Sequence, residues 1–290
     1  MNKNPAFTKV LDDALRETLD RFEKEMARCR KHFSEKSTHD LRVSLRRLIS
    51  TIDVTGAILD VVKTSKPRKT LKKSLDTFGE LRDIQVRLAE AGKLKARFPE
   101  IEPYAASLIN REKELIGAMA KVAGKIKIPK IKKGMRPAIK RMRKAPTAEY
   151  TQEKYFIEAF NFVDKKHHDV AQKALKIDGA NIKTIHDMRV AFKKFRYSVE
   201  ALKPVLGGVT ADKLKEMHDF QQLMGDINDV NALIKDITRF SKTREGIQVS
   251  FDAILRELKG RYATLLKRFT GNLGALNRFW SGFEPAREKD

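Results

Sequence analysis

The sequence predicts an all-α fold: two duplicated antiparallel four-helix bundles meeting across a pseudo-two-fold interface. Three observations predict it. Charged residues make up 34% of the 290, against 15 Gly and 9 Pro, a balance that favours long amphipathic helices over sheet. Apolar residues recur at helical spacing through most of the chain. Finally, His39-Asp40-Leu41-Arg42-Val43-Ser44-Leu45-Arg46-Arg47 returns 147 residues later as His186-Asp187-Met188-Arg189-Val190-Ala191-Phe192-Lys193-Lys194. Phe78 to Ile84 returns in the same order as Met224 to Val230, which reads as a duplication.

Taken in order, the first helix is expected from Pro5 to about Phe33, with Phe7, Leu11, Leu15, Leu19, Phe22 and Met26 on its apolar face. Ser37 and Thr38 open the second, with Asp40 completing a capping-box-like start, and it runs to about Val62. The third spans Lys69 to about Phe98, stopped by Pro99, and the fourth Pro103 to about Val122. Short connections suit an up-and-down bundle.

Residues 121–146 differ in character, with eleven Lys or Arg, no acid, three Pro and two Gly. The expectation is a basic linker, in which Arg136 to Lys144 could form a short helix. The order then repeats: helices from Glu149 to Leu175, Thr184 to Leu202, Thr210 to Phe240 and Ile247 to Phe269, with Thr184 as the second cap. The expected organisation is 1–124 as the first half, 125–148 as the linker and 149–290 as the second half of one domain.

Sixty-one Lys and Arg against 38 Asp and Glu leave +23, so polyanionic partners are expected. Cys29 alone gives no internal disulfide and no Cys-based zinc site. No window approaches a membrane span and the start carries no signal-like apolar run, so the reading is a soluble, cytoplasmic protein with no membrane partner.

At about 100° per residue, His39, Arg42, Val43, Arg46 and Ser50 share one face of the second helix, beside an apolar stripe of Leu41, Leu45, Leu48, Ile49 and Ile52. His186, Arg189, Val190, Lys193 and Tyr197 copy the first set. Arg47 and Lys194 stand to one side, Arg196 nearer the apolar border. One such face is usually only solvated; the same face twice, in a chain of this charge, reads as an anion surface. The histidine is expected in the first turn, where free N–H groups and the helix dipole favour an anion.

These motifs, with Gly79-Glu80-Leu81-Arg82-Asp83, Gly225-Asp226-Ile227-Asn228-Asp229 and Lys193-Lys194-Phe195-Arg196-Tyr197, resemble the CHAD family, the conserved histidine α-helical domain. The resemblance spans roughly Ala6 to Phe269. It implies two four-helix bundles flanking a basic central cavity that binds inorganic polyphosphate, and recruitment to polyphosphate granules. It places the binding role on His39, Arg42, Arg46 and Arg47, on His186, Arg189, Lys193, Lys194, Arg196 and Tyr197, and less directly on Lys69, Lys72, Lys73 and Arg82. Members often follow a triphosphate-tunnel domain; 290 residues leave no room for one, so a stand-alone version is expected. Asn228 stands where the first copy has Arg82, so the cavity need not be electrostatically symmetric.

Asp83 and Asp229 are expected to pair with the motif arginines. His167-His168-Asp169 reads as a solvated helix surface, since adjacent residues on a helix point apart. No Walker loop, nucleophile elbow or duplicated carboxylate pair is present, so no catalysis, metal or cofactor is expected. Nucleic acid is the second choice of partner; single-strand readers add exposed aromatics for stacking, whereas most Phe here lie on core stripes. The sequence leaves the oligomeric state open.

Overall fold

The computed structural model describes residues 7–59, 65–144, 149–243 and 249–281. The expected helix starts at Pro5 and Ile247, the second helix's end at Val62, and the last residues of the linker and of the second half lie outside these. Among the described residues the chain is all helical, with no β-strand.

Helix α1 (Phe7–Lys31) packs on α2 (Glu35–Leu59), α2 on α3 (Ser65–Lys95), and α3, after a 3₁₀ turn at Pro99–Ile101, on α4 (Glu102–Lys125). Following α5 (Ile128–Lys144), the series continues as α6 (Glu149–Ala174), α7 (Ile182–Leu202), α8 (Ala211–Phe240) and α9 (Asp252–Gly271), each packed on the next. A short α10 (Ala275–Trp280) closes on α6. The two motif helices, α2 and α7, pack directly on each other.

Local chemistry sets the starts. Ser34 Oγ, not Ser37, accepts from the Ser37 N–H at 3.2 Å, so α2 begins earlier than the capping-box pattern predicts. Likewise Asn181 Oδ1 accepts from Lys183 N at 3.1 Å and takes the cap expected of Thr184. Thr210 caps α8 through Lys213 N, as its position predicts.

The basic segment is not an irregular linker. Residues 128–144 form one continuous helix across Pro137, with Ile128, Ile131, Met135, Ala138 and Met142 buried on a single stripe. That stripe packs chiefly on α1, where Lys132 Nζ meets Glu23 and Asp20, and Arg143 Nε lies 3.2 Å from Asp12. Burial of five apolar side chains offsets the hydrogen bond Pro137 removes, which composition alone underweights. Gly134 faces the Pro67 ring of α3 so closely that a Cβ would sit 2.6 Å from Pro67 Cγ.

In the second half, Phe192, Phe195, Phe220, Phe279 and Trp280 form one aromatic cluster. His167 is part of it: its Nε2 lies 3.2 Å from Leu276 O and its ring packs on Phe195, so the solvated-surface expectation for His167 was wrong. The α10 turn, too short to show a helical period, is what covers that histidine. Across the halves, the Tyr104 hydroxyl donates to Asp236 at 2.9 Å, and Arg87 sits 3.5 Å from the same carboxylate.

Candidate functional site

Each motif arginine turns toward the neighbouring helix of its own half. Arg42 reaches α3, where Nη1 donates to Leu75 O at 2.6 Å and lies 3.3 Å from where a Gly79 Cβ would be. Arg189 reaches α8, its guanidinium 3.2 Å from a Gly225 Cβ position. At both matched glycines a guanidinium lies where a Cβ would crowd it. Asp83 and Asp229, expected to pair with these arginines, come no closer than 4 Å and act on them only through the field. Both arginine Nε atoms are buried without a partner.

Between α2, α3, α6 and α7 lies a cavity of about 410 Å³. The first half contributes Arg42, Arg46 and Asp53 from α2 with Arg68, Lys72 and Asp76 from α3. From the second half come Lys166 of α6 and His186, Lys193, Lys194 and Tyr197 of α7. Its acids are already engaged: Asp53 by Arg68 (3.0 Å) and Asp76 by Lys72 (2.6 Å). Arg46, Lys166, Lys193 and Lys194 have no carboxylate within 4 Å among the described residues.

Charge is concentrated rather than dispersed. Burial and then Arg189, Arg46 and Arg42 push the Lys193 ammonium down to about 6, since a buried cation beside like charges favours its neutral form. Partial burial and then the neighbouring Arg46 hold Arg42 down to about 10. Burial, with Arg82 next, lowers His39 below its ordinary value. Arg189 and Arg46 reach Lys193 electrostatically from opposite halves, so the cation cluster belongs to the α2–α7 seam and to neither half alone.

Several expected site residues are elsewhere. Arg196 is buried and faces away from the cavity, with Nε donating to Gln221 at 3.0 Å, Nη1 at 3.2 Å from Glu200 and His218, and its plane over Tyr197. Arg47 also leaves the basic face, reaching Glu200 at 3.2 Å across the seam. Arg82 turns to Glu35 beside His39. Lys69 and Lys73 are exposed and line no cavity wall. His39 and His186 are the fifth residues of α2 and α7, beyond the free N–H groups, so neither forms the expected helix-terminus anion site. His186 Nδ1 instead lies 3.3 Å from Asn228 Oδ1, the residue that replaces Arg82.

Two cavity cations were not anticipated, Arg68 and Lys166. Arg68 sits one turn before Lys72 and shares its face, a spacing that could have revealed it. Lys166 lies on α6, outside both motif copies, where only packing selects it. Among the described residues no cluster of His, Cys, Asp and Glu could hold a metal ion, and no helix is long and apolar enough to cross a membrane.

These features define a helical protein in which two repeated basic helices share one cavity. A family model for the CHAD domain matches residues 13–235, and the chain belongs to that family. The crystal structure of the CHAD domain from the plant Ricinus communis shares the fold, with a TM-score of 0.71 at 14% identity, covering 98% of this chain and 95% of that one. PptA from Streptomyces chartreusis is similar with a TM-score of 0.58 at 14% identity, covering 94% of this chain and 98% of that one. No curated protein sequence matches significantly.

Proposed function

We propose that this protein binds inorganic polyphosphate in the α2–α7 cavity without turning it over, its two halves being copies of one ancestral unit. The observation that carries this is the cation cluster at the seam: Lys193, under the field of Arg189, Arg46 and Arg42, in a cavity it lines with Arg42 and Arg46 and whose carboxylates are already occupied. A linear polyanion supplies the missing negative charge repeatedly along its length, releasing counterions at each contact. Arginine forks bind phosphate oxygens bidentately, whereas Lys193, Lys194 and Lys166 add charge with less geometric demand. Family membership supports the same ligand. Tethering to polyphosphate granules would follow from such binding.

Base stacking has little to work with, because no described Phe, Tyr or Trp is exposed and Trp280 is buried with its indole N–H on Asp164 at 2.8 Å. The test is competition at physiological salt between long-chain polyphosphate and single-stranded RNA of equal charge. Polyphosphate should displace RNA, and equal affinities would overturn the reading. Phosphate release from polyphosphate with Mg²⁺ or Mn²⁺ would overturn its non-catalytic part.

A further inference from the structure

The outer face of α5 carries a second concentration of positive charge that the cavity does not use. Lys130, Lys133, Lys140 and Lys144 are exposed, and none has a carboxylate within 4 Å among the described residues. At 1.5 Å per residue they span about 21 Å of helix. On its α1 side, Asp12, Asp20 and Glu23 are held by Arg143 and Lys132. The charge of these four lysines is therefore uncompensated by any paired acid among the described residues.

This face is joined to the cavity. Gly134 touches Pro67, the residue before Arg68, which lines the cavity with Lys72 one turn on. Taking about 100° per residue around α3, Pro67 and Leu71 mark the buried side and Arg68 and Lys72 the cavity side. Lys69 and Lys73 then fall on the outward side, between the cavity edge and the side where α5 packs. Both are exposed and without an acid partner among the described residues. The two lysines that fail to line the cavity thus stand between it and α5.

We infer that α5 and the outward side of α3 form a basic track continuing the cavity, along which a long polyphosphate chain lies once its end is held at the seam. This rests on the polyphosphate reading above and deepens it. The track has no buried guanidinium, so it adds counterion release without selecting phosphate geometry. Short chains fill the cavity alone. Long chains bind more tightly because cavity and track act on one molecule, the second contact being intramolecular.

The test uses the full chain and its variant Lys130→Gln, Lys133→Gln, Lys140→Gln, Lys144→Gln. All four side chains are solvated, and circular dichroism should show the same helix content. Affinities for tripolyphosphate and for long-chain polyphosphate are measured over a salt series. Tripolyphosphate affinity should stay within about twofold, long-chain affinity should fall at least about tenfold, and the slope of log K against log salt should flatten by about 3. The pair Lys69→Gln, Lys73→Gln should reproduce the chain-length-dependent loss in smaller measure. Unchanged long-chain affinity and slope would overturn the track, as would an equal loss for both ligands. Loss of RNA binding alone, with polyphosphate unaffected, would also overturn it. A parent protein that binds neither phosphate polymer would instead sink the cavity reading itself.

Discussion

Two clefts flank the α2–α7 seam, and they are built from corresponding parts. The basic cavity is walled by α2, α3, α6 and α7, while on the other side α1, α2, α7 and α8 enclose a cleft of about 500 Å³. Asp53 and Arg68 in the first have Glu200 and Lys215 as counterparts in the second, each 147 residues on. Yet the second cleft is neutralised. Glu200 there accepts from both Arg47 and Arg196, and Glu17 adds a further acid. Arg47 and Lys194 occupy the same place in the two motifs; one is ion-paired across the seam and the other lines the cavity with no acid partner among the described residues. The corresponding residues of the two motif helices border both clefts, and the acids that arrive from neighbouring helices leave one of them cationic.

The largest effect should come from removing the charge that distinguishes the two clefts. Arg46→Gln with Lys193→Gln should lower polyphosphate affinity by at least about a hundredfold, because neither group has an acid partner among the described residues, Arg46 is charged throughout and Lys193 takes up its proton against the bound anion. Calorimetry of the variant checks this, and a loss below about tenfold would move binding elsewhere. The buried cation on the neutralised side should behave in the opposite way. Arg196→Ala leaves Glu200 and the ring of Tyr197 without their buried cation, so stability should fall by about 3 kcal/mol while short-chain affinity changes little. Chemical denaturation paired with binding separates the two readouts.

A subtler difference concerns protons. With Lys193 held down to about 6, the empty cavity carries it largely neutral at neutral pH. A bound anion favours the charged form, so binding should take up close to one proton, and affinity should rise as pH falls from about 8 to about 6. Titration in buffers of different ionisation enthalpy reads the proton directly, and Lys193→Arg should abolish it. The ligand-free stability runs the other way. The unfolded lysine stays protonated to about 10, so the unfolded state binds more protons between about 6 and about 10, and this group makes stability rise with pH across that window.

Much of the fold was legible from residues alone. Helical periods placed α1 to α4 and α6 to α8 within a few residues, because an amphipathic stripe is a local pattern. Where Pro and Gly dominated the reading, as over 128–144, the stripe of Ile131, Met135 and Met142 was present but outvoted. Of the candidate site, Arg42, Arg46, Lys72, His186, Lys193, Lys194 and Tyr197 line the cavity. Arg47, Arg82 and Arg196 do not, each drawn off by a glutamate that lies far from it in sequence or on its own buried border.

What the sequence determined by itself was the helical architecture, the repeated His-x-x-Arg-x-x-x-basic-basic face and the surplus of cations. Only the tertiary structure decided which cations remain unpaired and where they meet. The reason is physical: spacing along a helix fixes direction relative to its own axis, whereas pairing and desolvation depend on Glu200, Glu35, Gly79 and Gly225 arriving from other helices.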